Sequence, residues 1–188
     1  DRAGAVDEKG EEINRNRLIA LISAVLLREK AGTIVTDSVT SDGLSSFIAA
    51  HGGKHCRFKR GYKNVIDEAK RLNDEGFYSP LAIETSGHAA LKENYFLDDG
   101  AYLVTRILIS VAKGENVRDL ISGLKTPAEE GEVRLPFADG ADFKALGERV
   151  LRDLKTAAAD EGLSVAEKNY EGVRILFGKG RGDGWALV

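Results

Sequence analysis

Between Ile13 and Val111 the hydrophobic period of the chain switches back and forth, and no other feature limits the fold as tightly. From Ile13 to Arg28 the apolar positions Leu18, Leu21, Ile22 and Val25 fall at helical spacing, and Gly32 ends the stretch. Thr33–Thr36 follows as a short β-branched strand. Asp42-Gly43 opens a helix that Gly52-Gly53 closes, and Cys56 with Phe58 predicts another strand. Val65, Ile66, Ala69 and Leu72 mark a helix ended by Gly76, and Leu81-Ala82-Ile83 after Pro80 reads as a buried strand. The polar stretch from Glu84 to Asn94 reads as loop, and Val104, Ile107, Leu108 and Val111 give a further amphipathic helix. Strands that alternate with helices pair in parallel, because each helical crossover returns the chain to the same end of the sheet.

Beyond Lys125-Thr126-Pro127 the pattern changes. A strand is predicted at Val133–Leu135, then a long helix with Leu146, Val150, Leu151 and Leu154 on its apolar face. Strands near Leu163–Ala166, Val173–Phe177 and Trp185–Val188 follow, the last two joined by the Gly-rich turn 178–184. Ahead of all this, Ala3–Val6 ends a strand and Asp7-Glu8-Lys9-Gly10 turns like a hairpin. The expected fold is a three-layer α/β domain with a mixed, largely parallel sheet, followed by a smaller α+β domain with antiparallel strands.

Composition narrows the function classes. The 188 residues carry a formal net charge of -3, which argues against a general nucleic-acid binder. The single Cys56 allows no intrachain disulfide and fits a reducing, cytoplasmic setting. The longest apolar run, Leu18–Leu27, is broken by Ser23 and too short to span a bilayer, so no membrane partner is expected. No signal peptide opens the chain and it has no methionine; it begins Asp1-Arg2-Ala3-Gly4 and stops in the apolar run Trp185–Val188. Both ends predict a fragment. The sequence is silent on oligomeric state.

The densest candidate for chemistry is Glu84-Thr85-Ser86-Gly87-His88, directly after a buried strand. Strand C-termini are where α/β sheets bind ligands. A carboxylate accepts from two neighbouring sugar hydroxyls, Ser86 donates and accepts, and Gly87 permits a close backbone approach. A plain polar turn is the competing reading of the same residues. A second cluster, Arg57, Lys59, Arg60 and Lys63 around Gly61-Tyr62, has the charge to neutralise a phosphate, or is a solvated basic loop. Thr40-Ser41-Asp42-Gly43 also precedes a helix, with Ser41 read as its N-cap.

Glu84-Thr85-Ser86-Gly87-His88, followed by Lys92-Glu93 and Asp98-Asp99-Gly100, resembles domain three of the α-D-phosphohexomutases, over roughly Thr33 to Val111. The resemblance implies that Glu84 and Ser86 bind sugar hydroxyls and that His88 sits beside the ring, assisting proton transfer or orienting the sugar. Thr85 stands where subfamilies differ, and Ile83 stands where many members have glycine. Lys63 matches a phosphate-proximal lysine with Arg60 as its neighbour, and Tyr62 receives no acid/base role because some members have histidine there. Asp1-Arg2 is similar to the end of the family's magnesium loop, so Asp1 would be the last of three ligands, a partial site not expected to hold Mg2+ here. Asn169–Arg174 and Asp183-Gly184-Trp185 resemble the fourth domain just before its phosphate-binding loop.

On this resemblance residues 1–12 are the tail of a preceding metal-loop domain, 13–125 the sugar-binding domain, and 126–188 a truncated C-terminal domain. The implied activity interconverts hexose 1-phosphate and hexose 6-phosphate through a phosphoserine, with hexose 1,6-bisphosphate as intermediate and a phosphorylated hexose as the partner. No Thr-x-Ser-His-Asn-Pro segment is present, so the chain alone is expected to be inactive. Two other classes compete: a non-catalytic sugar-phosphate binding module, and a general α/β interaction domain. Gly178–Gly184 is not a phosphate-cradling loop, since it lies between strands; a hairpin turn explains its Arg181-Gly182-Asp183 better than cell adhesion does. Ser86 and His88 do not make a hydrolase pair, since no G-x-S-x-G elbow surrounds the serine.

Overall fold

A computed structural model describes residues 1–178 and 180–188. Lys179, within the predicted hairpin turn 178–184, lies outside the described residues. The chain forms two compact units, Asp1–Pro127 and Ala128–Val188.

The first unit is built on four strands: β3 (Thr33–Thr36), β4 (Lys54–Arg57), β5 (Leu81–Ile83) and β6 (Ala89–Leu91). Their order is β4-β3-β5-β6, with β3 parallel to both β4 and β5 and β6 antiparallel to β5. A short hairpin of β1 (Ala5–Val6) and β2 (Glu12–Ile13) precedes it. The helices are α1 (Asn16–Glu29), α2 (Asp42–Ala50), α3 (Tyr62–Asp74), α4 (Gly100–Ala112) and α5 (Val117–Leu120).

Alternation along the strands assigns the helices to layers, because successive strand side chains face opposite sides of a sheet. Ile34, Leu81, Ile83, Ala89 and Leu91 enter one core with residues of α1, α2 and α4. Val35, Ala82 and Ala90 enter the other with Val65, Ile66 and Ala69 of α3. The result is the expected three-layer α/β unit with a mixed, largely parallel sheet.

Four details differ from the sequence reading. The first helix begins at Asn16, while Ile13 sits in β2 and is buried. Every residue from Leu18 to Leu27 is buried, because α1 packs on α2, α4 and α5 as well as the sheet core. The stretch 84–94 is not all loop: Ala89–Leu91 forms β6 and Lys92–Asn94 a 3-10 turn. On α4 the buried positions are Gly100, Leu103, Ile107 and Ser110, whereas Leu108 and Val111 are exposed.

The helix ends follow their caps. Ser41 accepts from the Leu44 amide at 3.1 Å, as its N-cap reading requires. Asp99 accepts from the Tyr102 amide at 2.9 Å and starts α4. At Gly43 an added Cβ would lie 2.0 Å from the Lys125 carbonyl oxygen, so only glycine lets that segment close on α2.

Glu115, beyond α4, is gripped by Arg28 of α1 and by the Ser110 hydroxyl. The hydrogen-bonded Arg28 guanidinium, then Ser110, hold its carboxyl down to about 2. A carboxyl whose folded value is depressed contributes stability that is complete above its unfolded value and is lost as pH falls through the folded one. Between about pH 5 and about pH 2 the melting temperature of wild type is therefore expected to fall more than that of Glu115→Gln. Equal slopes in a pH series of thermal melts would contradict this.

The second unit holds α6 (Phe143–Asp160) and an antiparallel sheet of order β7-β8-β9. Its strands are Ser164–Val165, Arg174–Phe177 and Gly184–Leu187. Leu151, Leu154 and Ala158 of α6 pack with Val173 and Ile175. Val150, predicted on the apolar face, is instead exposed. The predicted strand at Val133–Leu135 does not form. Both residues are more than four-fifths exposed, and among the described residues no sheet edge pairs with them.

Candidate functional site

The C-terminal ends of β3, β4 and β5 lie side by side, since the three strands are parallel. The chain leaves β3 toward β4 on one side and β5 toward β6 on the other. Such a reversal opens a crevice at the strand ends, the usual ligand position in open α/β sheets. Three segments meet there: Asp37 after β3, Phe58–Gly61 between β4 and α3 with Tyr62 at the start of α3, and Glu84–His88 between β5 and β6.

The last of these is a tight turn. The Gly87 amide donates to the Glu84 carbonyl at 3.0 Å, and the Glu84 amide to the His88 carbonyl at 2.9 Å. Gly87 has φ +93°, and an added Cβ would stand 2.4 Å from the Ala3 carbonyl oxygen. The Ala3 amide in turn donates to the Gly87 carbonyl at 2.9 Å, which stitches the first residues to the turn.

Glu84 is buried. Its Oε1 accepts from the Gly61 amide at 2.6 Å and its Oε2 from the Ser86 hydroxyl at 3.2 Å. A carboxylate has about four acceptor positions, so these bonds leave capacity for more donors. Ser86 is exposed. The Gly61 bond explains the position of the basic loop: Gly61, with φ +110°, turns its amide toward Glu84 just before α3 begins. Lys63, in the first turn of α3, is exposed, as is Arg60. Arg57 faces elsewhere, toward Asp42 at 2.6 Å.

The His88 ring is fixed on three sides. Nδ1 meets Asp98 Oδ2 at 2.7 Å, and Nε2 lies 3.1 Å from the Arg2 Nε, which can only donate. Nε2 is thus the acceptor and Nδ1 carries the proton given to Asp98. The Tyr62 ring stacks on the imidazole with centroids 5.1 Å apart and planes 25° from parallel. Arg2, Tyr62 and Asp98 are members of this cluster that sequence reasoning quoted without connecting to His88.

Asp37 was missed altogether. It is 3% exposed, and its Oδ2 accepts from the Thr85 amide at 3.0 Å and the Thr85 hydroxyl at 2.6 Å. Burial pushes its carboxyl above the usual range; the Thr85 bonds oppose the shift, nearby Glu84 adds to it, and Arg60 offsets part. A polar residue directly after a buried strand is the signal that singled out Glu84, and it was available at Asp37 too.

The magnesium reading of Asp1 meets a poor ligand set. Asp1 Oδ1 accepts from the Arg2 amide at 2.8 Å. Among the described residues no group of three or more His, Cys, Asp or Glu side chains is arranged to hold a metal ion. The residues present do not by themselves make a magnesium site. Among the described residues no helix is long and apolar enough to cross a membrane.

A family model described as phosphoglucomutase/phosphomannomutase, alpha/beta/alpha domain III, matches residues 14–126, more than half of the chain. The chain belongs to the phosphoglucomutase/phosphomannomutase family. It is 29% identical to a phosphomannomutase/phosphoglucomutase of Pseudomonas syringae pv. tomato over 100% of its length, and spans 38% of that relative. It is 27% identical to a phosphoglucomutase of Neisseria gonorrhoeae over 97% of its length, again spanning 38% of the relative. The crystal structure of a phosphoglucomutase/phosphomannomutase family protein from Burkholderia thailandensis matches with TM-score 0.72 and 26% identity, over 94% of this chain and 35% of that one. The chain therefore corresponds to well under half of the length of these phosphohexomutase relatives.

Proposed function

We propose that this chain is the sugar-recognition part of a phosphohexomutase that interconverts hexose 1-phosphate and hexose 6-phosphate. Residues 1–12 are read as the tail of a metal-loop domain, 13–125 as the sugar-binding domain and 126–188 as part of a C-terminal domain. Glu84 and Ser86 take the sugar hydroxyls, and His88 lies beside the ring. Lys63 and Arg60 face the phosphate.

The whole protein's reaction passes a phosphoryl group from a phosphoserine to the free hydroxyl of the sugar phosphate, leaving serine and a hexose 1,6-bisphosphate. The bisphosphate turns over and returns its other phosphoryl group to the serine. The sugar must then be held in two flipped orientations by one set of groups. Hydroxyls at the middle of the ring are common to both orientations, and a short turn with a carboxylate and a hydroxyl suits them. The cationic loop offsets phosphate charge. Magnesium, which family resemblance implies for the whole protein, finds no ligand set among the described residues, and no step here runs through it. The chain alone has no phosphoserine segment and is proposed to be inactive.

One observation carries the reading: the Gly61 amide bonds to Glu84, and Tyr62 stacks on His88, so the basic loop lies against the hydroxyl-binding turn. Glucose 1-phosphate titrated into the chain is expected to shift the amide resonances of Glu84–His88 and Gly61–Lys63 together. Glu84→Ala removes a charged acceptor, and a roughly 10- to 100-fold weaker affinity is expected. Equal or absent shifts in both proteins favour a general interaction domain. Binding that is retained while the full-length protein shows no mutase activity favours a non-catalytic module.

A further inference from the structure

The second residue of the recognition turn, Thr85, does not offer its hydroxyl proton to a ligand. It donates to Asp37 Oδ2 at 2.6 Å, and its amide donates to the same oxygen at 3.0 Å. Asp37 makes a rigid post for this clamp. It follows directly on β3, the central parallel strand, and its carbonyl oxygen accepts from the Thr36 hydroxyl at 3.0 Å and the Thr40 hydroxyl at 3.3 Å. Its side chain is almost wholly enclosed, and among the described residues Oδ1 is buried without a hydrogen-bond partner. Enclosing a carboxylate with one oxygen unsatisfied is costly. Oδ2 accepts both Thr85 bonds, and the Arg60 charge acts on the same carboxyl. The turn has two backbone bonds of its own and is met from outside by the Ala3 amide at Gly87, the Gly61 amide at Glu84 and Asp98 at His88, but at Thr85 by Asp37.

We propose that Asp37 is a positioning residue for the recognition turn: by gripping Thr85 it fixes the backbone that presents Glu84 and Ser86, with Thr85 as a latch rather than a ligand contact. Only the ligand-binding half of this inference rests on the function proposed above; the latch itself does not. Burial, which raises the proton affinity of Asp37, agrees with a carboxyl kept for geometry instead of charge.

Amide hydrogen exchange and glucose 1-phosphate titration on the same variants decide the matter. In Thr85→Val, which keeps the shape but loses the O–H donor, exchange at Gly87 is expected to quicken roughly tenfold while Val35 in β3 is unchanged. Thr85→Ser keeps the donor and is expected to stay within about twofold of wild type. Asp37→Ala is expected to exceed Thr85→Val at both Thr85 and Gly87. Affinity for glucose 1-phosphate should follow the same order, with Thr85→Ser rescued. The latch is overturned if Thr85→Val exchanges like wild type, or if Val35 quickens equally, which marks general destabilisation. A wild-type chain that does not bind glucose 1-phosphate removes the functional reading, and the exchange rates then sustain or overturn the latch by themselves.

Discussion

Leu21→Ala is expected to destabilise the first unit by about 3 kcal/mol and lower its melting temperature by on the order of 10 °C. Leu21 is 0% exposed in a helix buried on every side, so the lost methyl groups leave a cavity that α2, α4 and the sheet cannot all close upon. Leu108→Ala on α4 is the matched control. Leu108 is 60% exposed, and its truncation is expected to change stability by less than about 0.5 kcal/mol. Urea unfolding of the two variants checks both values. A cost at Leu108 approaching that at Leu21 would mean that the wet and buried faces of α4 are assigned the wrong way round.

Gly87→Ala is the second large effect, and here a loss in stability is coupled to a loss in the site. A non-glycine residue at φ +93° carries backbone strain of about 1–3 kcal/mol. Strain alone would make Gly87 resemble Gly10, which has φ +79° and nothing within 4 Å of an added Cβ. Gly87 differs because its Cβ would meet the Ala3 carbonyl oxygen at 2.4 Å, and that oxygen belongs to backbone, not to a pliable side chain. Ala3 retreats only by breaking its own amide bond to Gly87. Gly87→Ala is therefore expected to cost more than Gly10→Ala by at least about 1 kcal/mol, and to displace Arg2 from His88. Denaturant midpoints compare the stabilities, and the His88 ring resonances report the second effect. Equal midpoints with unchanged His88 signals would refute the stitching of the first residues to the turn.

The parallel core was legible because β-branched and apolar runs such as Thr33–Thr36 and Leu81–Ile83 are bounded by glycine, proline and helical spacing. The β6 strand was not. Ala89-Ala90-Leu91 is three residues long, two of them small, and its strand character comes from pairing with β5 rather than from its own propensity. Val133–Leu135 failed in the opposite sense: two apolar residues alternate there, but alternation makes a strand only where a sheet accepts it. On α4, hydrophobicity pointed to Leu108 and Val111, yet the buried face runs through Leu103, Ile107 and Ser110, whose hydroxyl bonds to Glu115. In the site, Glu84, Ser86 and His88 were visible as a cluster within one turn. The links of Asp37 and Asp98 to that turn were harder to see, since each acts on it from a separate segment, 48 residues from Thr85 and 10 from His88.

The alanines under α3 set the spacing of the two loops at the candidate site. Ala82 and Ala90 are the sheet's floor beneath that helix, alongside Val35. The depth at which α3 rests thereby governs how near Tyr62 comes to His88, and Gly61 to Glu84. A single larger residue on that floor would raise the helix like a shim under a beam and widen the gap between the two loops. Under the function proposed above, ligand preference is thus open to drift through interior positions, while each group assigned to the sugar stays as it was.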